Sequence, residues 1–177
     1  MQYIIEFQKR VGVRRAELAN IRKEDFTIDE SGYPVIFIRK GKGNKPTYQK
    51  LNTLEDAVFI KKYFDAVGPG EKIFEEKYLK NELNFHKLRA DCAKEYYKIQ
   101  LEKILNEPGY AEQLEAEIRA RWKYNINPKT GKPKRFPEDQ IHGWYVLRGD
   151  NRKKALREGK PIRYNRLAIM AVSIFKL

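Results

Sequence analysis

Cysteine and histidine are scarce in this chain, and their scarcity excludes two classes of protein. Cys92 is the only cysteine, so no disulfide can form within the chain and no cysteine cluster can hold zinc. His86 and His142 are the only histidines, too few with one cysteine to predict a metal centre. The sequence therefore predicts a protein stabilised by neither disulfides nor a bound metal.

Long apolar runs are also missing. The longest is far shorter than the roughly 20 residues that a membrane-spanning helix needs, so insertion into a membrane is not expected. The first residues, MQYIIEFQKRVG, lack the basic start, apolar stretch and small-residue cleavage site of a secretory signal. The expected location is the cytoplasm, without a membrane partner.

Negative charge is in the minority. The 177 residues include 37 Lys and Arg against 24 Asp and Glu, which gives a formal net charge of +13. Such a positive field favours a polyanionic partner, above all nucleic acid. The alternative at this point is a basic surface that only keeps the protein in solution. The length fits one domain with a single core.

The first half of the chain has the pattern of a small antiparallel sheet. Apolar and polar residues alternate at 26–28, and residues 33–40 are rich in β-branched and aromatic side chains. The glycine-containing basic turn 41–46 can return the chain as a third strand at 47–51. Three antiparallel strands are therefore predicted.

Apolar residues at helical spacing predict helices before and after this sheet. Thr53 is placed to cap the second of them, and glycine and proline follow that helix at its end. The fourth is charged enough to be solvent-exposed, whereas the last is apolar enough to be buried. The predicted helices cover residues 14–21, 54–67, 86–105, 111–122 and 164–177. The expected class is α+β, a mainly helical domain with a small three-stranded antiparallel sheet.

Three separated motifs contain side chains suited to phosphate chemistry. The first is GVRRAEL at 12–18, where Arg14 offers a planar fork of donors that can hold two phosphate oxygens at once. The second is HKLR, in which His86 and Arg89 lie roughly 60° apart on one helix face. The third is the turn GKGNK, whose lysines are flexible point donors suited to delivering a proton to a leaving oxygen.

In their order along the chain, these motifs resemble the characteristic boxes of the tyrosine recombinase, or phage integrase, family of mobile elements. Arg14 takes the position of the first catalytic arginine, and Glu17 that of the acidic residue that supports it. His86 and Arg89 match the HxxR motif. The resemblance covers roughly residues 10–90 and implies the tyrosine recombinase catalytic-core fold.

The glycine turn resembles the β-hairpin from which these enzymes extend a lysine beside the scissile phosphate. Lys42 lies at the matching position, and Lys45 is the alternative. Further contacts to double-stranded DNA are expected from basic side chains along the chain. These are Arg39, Lys40, Lys45, Lys87, Lys132, Lys134 and Arg135.

The resemblance implies site-specific DNA recombination or integration without a metal or cofactor. Two arginines and a histidine hold the phosphate while a tyrosine attacks it, forming a 3′-phosphotyrosyl link as the 5′-hydroxyl leaves. The covalent link conserves the phosphodiester energy, so strands rejoin without ATP. The family works as tetramers on paired DNA sites, whereas this chain by itself is expected to be a monomer.

The chain departs from the family pattern after HxxR. The family's next box contains a histidine or tryptophan, and the nucleophilic tyrosine follows about ten residues later. His142 and Trp144 have no tyrosine at that distance, because Tyr145 is too near and Tyr164 too far. None of the eleven tyrosines is therefore predicted to be the nucleophile.

The terminal helix ending at Leu177 matches the helix that precedes the missing box. The expected organisation is therefore a single partial catalytic domain over 1–177, a catalytically incomplete DNA-binding part of a recombinase. Its predicted segments are the arginine box and sheet at 12–53, helices with HxxR at 54–106, a basic insertion at 107–163 and the core helix at 164–177. The alternative function is an architectural or regulatory DNA-binding protein without catalysis on the same fold.

The basic insertion leaves a choice between two interpretations. Its lysines and arginines either clamp DNA phosphates or form a solvated loop. The Arg-Gly-Asp triplet at 148–150 is expected to form a turn.

Overall fold

The computed structural model describes residues 1–80 and 82–176, with Lys42 described by its backbone alone, and it divides into two compact units. The first unit comprises Met1–Tyr96 with Lys176, and the second comprises Tyr97–Phe175. This differs from the single core expected from the chain length. The physical reason is that the apolar helix faces in the second half pair with one another.

The first unit contains the predicted sheet and the helices around it. Its strands follow the order β1-β2-β3 and both pairs are antiparallel, with Phe26 opposite Ile36 and Phe37 opposite Tyr48. The elements are α1 (Gln2–Val11), α2 (Arg15–Leu18), β1 (Phe26–Ile28), β2 (Pro34–Ile38), β3 (Thr47–Lys50), α3 (Leu54–Asp65) and the first half of α4 (Phe85–Asn106). The α+β class and the three-stranded antiparallel sheet are thus confirmed.

The α2 helix is shorter than the eight residues expected at 14–21. After Leu18 the chain tightens into turns, with the Asn20 amide bonded to the Glu17 carbonyl and the Ile21 amide to the Leu18 carbonyl. The Asn20 side chain also donates to the Ala16 carbonyl at 2.8 Å, which satisfies a helix-end acceptor. The local hydrogen bonds of Asn20 therefore end the helix.

The core of the first unit is aromatic at its centre. Phe7 of α1 is fully buried, and its ring centroid lies 5.3 Å from Tyr63, 6.1 Å from Phe64 and 5.2 Å from Phe74. The contacts with Tyr63 and Phe74 are edge-to-face, and such contacts add roughly 0.5–1.5 kcal/mol each beyond the buried area. The α3 helix begins as predicted, because Thr53 Oγ1 accepts the Asp56 amide at 3.1 Å.

A lysine ammonium lies fully inside the first unit. Lys176 Nζ donates to the Val11 carbonyl at 3.1 Å and to the Lys50 carbonyl at 2.7 Å, and it lies 5.6 Å from the Tyr96 ring centroid. Gln49 Nε2 donates to the same Val11 carbonyl at 2.9 Å. The buried ends of α1 and β3 are thus satisfied by two side-chain donors.

The second unit is mainly helical. Its α5 helix packs against α7, and Leu114 and Ile118 of α5 are buried, so the expectation of a fully solvated helix at 111–122 is corrected. Their four-residue spacing gives α5 one apolar stripe within an otherwise charged sequence. The elements are the second half of α4, α5 (Tyr110–Trp122), β4 (Trp144–Val146), α6 (Gly149–Arg157), β5 (Arg163–Asn165) and α7 (Arg166–Phe175).

Two elements of the second unit were not expected. The strands β4 and β5 pair into an antiparallel ribbon, and the segment between them forms α6. Arg148 caps α6, and Gly149 and Asp150 begin it, so the Arg-Gly-Asp triplet starts a helix and does not form the expected turn. The terminal helix occurs as predicted, although Leu177 lies outside the described residues. No helix in the described part of the chain is long and apolar enough to cross a membrane.

Burial of Lys176 predicts a pH-dependent stability. Removal from water lowers the pKa of the Lys176 ammonium, and the nearby Arg89 charge acts in the same direction. The unfolded chain then binds more protons than the folded chain, so this lysine's contribution to stability falls as pH drops below its unfolded pKa of about 10.4. We expect the unfolding free energy of wild type to rise relative to that of Lys176→Met as the pH increases from about 7 to about 10. Denaturant titrations of both proteins measure it, and a pH-independent difference would contradict the expectation.

Candidate functional site

A glycine at the end of α1 brings the two arginine motifs together. Gly12 has the left-handed conformation, with φ 69° and ψ 32°, and its amide bonds to the Gln8 carbonyl at 2.9 Å. A Cβ atom at Gly12 would lie only 2.8 Å from Cys92 Sγ and 2.9 Å from Cys92 Cβ. The turn that carries GVRRAEL therefore rests directly on the α4 helix, one turn after its HKLR motif.

Polar side chains hold this contact on both sides. Asn52 Nδ2, just after β3, donates to the Cys92 carbonyl at 3.1 Å, and Cys92 Sγ lies 3.6 Å from Asn52 Oδ1. Gln8 Nε2 donates to the Val13 carbonyl at 2.7 Å. Both amides are buried, so these bonds replace water for main-chain groups that would otherwise stay unsatisfied. The turn and the helix are thereby fixed in position.

Glu17 organises the first motif. Its Oε2 accepts the backbone amide of Arg14 at 2.7 Å, and its Oε1 accepts Arg14 Nη1 at 2.7 Å. The Glu17 side chain is 8% exposed and that of Arg14 is 38% exposed. One carboxylate thus binds both the backbone amide at the start of α2 and the Arg14 guanidinium, which it orients. Glu17 was expected to support Arg14 in this position.

Arg89 shares this site. Partial burial lowers the pKa of the Arg89 guanidinium, the positive charge of Arg14 lowers it further, and the Glu17 carboxylate opposes both effects. The three charges are therefore close enough to influence one another. Two guanidinium groups around a single carboxylate leave an excess of positive charge at a partly buried position, which favours an anionic ligand.

His86 lies three residues before Arg89, near the start of α4. Asn84 precedes the helix, and its Oδ1 accepts the Lys87 amide at 2.9 Å, which fixes the first turn. The His86 side chain is exposed. Within the described interactions none joins His86 to Arg14 or Glu17, so its place at the site depends on its spacing from Arg89 on one helix face.

The glycine turn that contains Lys42 and Lys45 follows β2. Residues 42–44 form one 3-10 turn, Gly43 has φ 72° and Asn44 has φ 60°, and the Gly41 amide bonds to the Lys45 carbonyl at 2.8 Å. Lys45 is exposed. The side chain of Lys42, the predicted proton donor, lies outside the described part of the structure.

The remaining predicted DNA contacts differ in availability. Arg39 already pairs through Nη2 with Asp25 at 2.6 Å and with Glu24 at 3.3 Å, so part of its charge is balanced within the first unit. Lys40 and Lys87 are exposed there, and Lys132, Lys134 and Arg135 are exposed in the second unit. The loop carrying the latter three is folded, because Ile126 bridges to Pro133 and Trp122 Nε1 donates to the Lys134 carbonyl at 2.8 Å.

Sequence reasoning missed the buried amides that fix the site. Gln8, Gln49 and Asn52 occupy positions where the helix or sheet faces the core. A polar residue at an inward position of a periodic pattern is the available signal, but β3 does not give it, because the adjacent Gln49 and Lys50 are both buried. In the described ranges, no three His, Cys, Asp or Glu side chains form a group able to hold a metal ion.

Comparisons of the chain with known protein families, with curated proteins and with solved structures find no match. A functional assignment therefore depends on the motifs and on the geometry described above.

The close approach of Gly12 to Cys92 predicts a large cost for any side chain at Gly12. We expect Gly12→Ala to lower the unfolding free energy by about 2 to 4 kcal/mol, because left-handed strain and overpacking against Cys92 add. Gly32→Ala is the matched control, since Gly32 has φ 80° but a Cβ atom there would meet no other atom within 4 Å. It should lose only about 1 kcal/mol in the same denaturation experiment. Equal losses would show that the Gly12 contact is not tight.

Proposed function

We propose that the first unit binds a DNA phosphodiester at Arg14 and Arg89, and that the chain is the DNA-binding part of a tyrosine recombinase. The observation that carries this proposal is the close approach of the Gly12 turn to α4, where a Cβ atom at Gly12 would lie 2.8 Å from Cys92 Sγ and 3.8 Å from the Arg89 carbonyl oxygen. The proposal includes the recombinase catalytic-core fold and a cytoplasmic location.

The geometry of Arg14 suits a phosphate. Glu17 occupies Nη1 of the guanidinium, which has five N–H donors, and the side chain is still 38% exposed. The rest of the planar fork can therefore reach two oxygens of one phosphate. Orientation by Glu17 fixes the fork before the ligand arrives, so little rotamer entropy is lost on binding.

In the proposed reaction, the two arginines stabilise the negative charge that develops on the phosphoryl oxygens as the phosphorus becomes pentavalent. His86 lies beside Arg89 to bind the same phosphate, and Lys42, with Lys45 as the alternative, protonates the leaving 5′-oxygen. A tyrosine supplies the nucleophile and the 3′-phosphotyrosyl link. We assign that role to none of the tyrosines in this chain, and we propose that the whole recombinase acts as a tetramer on paired DNA sites.

Loss of a phosphate contact should change the salt dependence of DNA binding. We expect Arg89→Gln to weaken binding to duplex DNA and to reduce the slope of log affinity against log salt by about 0.9, because one fewer phosphate is neutralised. Lys94→Gln is the matched control on the same helix, where Lys94 is 73% exposed and pairs with Asp91. Fluorescence anisotropy over a range of salt concentrations measures both.

The control should keep the wild-type slope, and circular dichroism should show that both variants are folded. Equal slopes for wild type, Arg89→Gln and Lys94→Gln would exclude Arg89 as a phosphate contact. Absence of any salt-dependent affinity for duplex DNA would overturn the proposed function itself.

The assignment of the nucleophile to none of the tyrosines in this chain also predicts how the chain behaves with a cleavable substrate. Incubated with a nicked suicide duplex, it should form no covalent adduct on a denaturing gel, because none of its tyrosines has the family's placement. An adduct that is abolished by Arg89→Gln would place the nucleophile within this chain and refute that part of the proposal.

Extending the reading frame beyond Leu177 separates the enzyme from a non-catalytic DNA-binding relative. A histidine or tryptophan followed about ten residues later by tyrosine favours the enzyme.

A further inference from the structure

The β4–β5 ribbon of the second unit has two different faces. Tyr145 and Tyr164 pair across the ribbon on one face, where the Tyr97 ring centroid lies 5.7 Å from that of Tyr164. Tyr97 Oη also accepts the Asn165 amide at 2.9 Å. Because side chains alternate along a strand, Trp144, Val146 and Arg163 project from the opposite face.

That opposite face combines an aromatic ring, an apolar side chain and a cation in the open. Trp144 is 36% exposed and Val146 is 42% exposed. The guanidinium carbon of Arg163 lies 4.8 Å from the centroid of the Trp144 ring, a cation–π arrangement. The Arg163 guanidinium therefore lies over the Trp144 ring. Tryptophan and arginine are among the side chains enriched at binding hot spots.

The segment that contains the ribbon and α6 is strongly basic. Residues 144–165 include seven Lys and Arg against two Asp and Glu, a net charge of +5. The two carboxylates pair locally, Asp150 with Lys153 and Glu158 with Lys160. Within the described ranges, the exposed side chains of Arg148, Arg152 and Arg157 are in no ion pair. The positive charge is therefore available to a polyanion.

We propose that the ribbon surface, formed by Trp144, Val146 and Arg163 and flanked by Arg148 and Arg152, is a second binding site for duplex DNA. A two-stranded β-ribbon is of a size that the major groove of B-DNA admits, and arginine is the commonest reader of guanine edges there. The arginines at and after the start of α6 contact the flanking phosphates. The choice of duplex DNA as the polyanion rests on the proposed function, whereas the site itself is independent of Arg14 and Arg89.

Other ligands fit this surface less well. Centres of protein interfaces are depleted in charge, unlike a segment with a net charge of +5. A membrane-binding face needs a broad apolar stripe, and Trp144 and Val146 provide only two side chains. Single strands are held by stacking on several successive aromatic groups, but this face carries one ring.

Tryptophan emission tests the proposal directly, because Trp122 and Trp144 are the only tryptophans. In Trp122→Phe, Trp144 is the sole reporter, and we expect saturating duplex DNA to quench and shift its emission. Arg163→Ala in the otherwise wild-type chain should lower duplex affinity by about 5- to 100-fold. Lys80→Ala is the control for the loss of one exposed positive charge, and its affinity should stay within about twofold.

The outcomes separate this proposal from the function of the first unit. Unchanged Trp144 emission at saturating duplex, together with weaker binding by Arg89→Gln, would overturn the ribbon surface as a DNA site and leave the phosphodiester site standing. Wild-type affinity for Arg163→Ala would overturn it equally. Emission that responds only to single-stranded DNA or to vesicles of anionic lipid would replace duplex DNA with that ligand. No binding to duplex by any variant would overturn both proposals.

Discussion

The first unit depends on the absence of a side chain at Gly12. Only hydrogen atoms separate its Cα from the Cys92 side chain, and this contact sets how closely the turn after α1 approaches α4. Because Arg14 follows two residues later and Arg89 lies one helical turn before Cys92, the same contact sets how closely the backbone segments that carry the two arginines approach. Gln8, Gln49 and Asn52 secure the main-chain groups around it. The geometry of the charged site is therefore a consequence of packing in the core.

Glu17 then makes an unfavourable arrangement of charge tolerable. Burial lowers the pKa of the Arg89 guanidinium, and the positive charge of Arg14 lowers it further. The Glu17 carboxylate, whose side chain is 8% exposed, offsets part of the repulsion between the two guanidinium groups. An anionic ligand would offset the remainder. The same local device occurs again at Arg22, whose amide donates to Asp25 Oδ2 at 2.8 Å. There the second oxygen of Asp25 binds Arg39, so the charges are balanced within the protein.

The sequence patterns that predicted secondary structure correctly either extended over several turns or depended only on residues close together in sequence. The α3 and α4 helices repeat their apolar residues over several turns, and Thr53 marks where α3 begins. The shared site of Arg14, Glu17 and Arg89 was implied by the family resemblance, and it stays a prediction. The ribbon was missed because β4 and β5 have three residues each, too few for alternation to show. Lys176 reads as a solvated residue, because its environment comes from Val11 and Lys50, far away in sequence.

That distant environment also constrains the order in which the first unit is completed. The main buried cluster of the first unit lies within the first 85 positions, and the buried Cys92 and Tyr96 follow soon after, so hydrophobic collapse can proceed once this part has been synthesised. Lys176, synthesised some ninety residues after that core, donates its side chain to the Val11 and Lys50 carbonyls. The Lys176 carbonyl in turn accepts Gln49 Nε2 at 3.3 Å. A nascent chain that has passed only α4 thus holds a collapsed core with an unfinished polar network. The donors to the Val11 and Lys50 carbonyls are complete only when Lys176 has been synthesised.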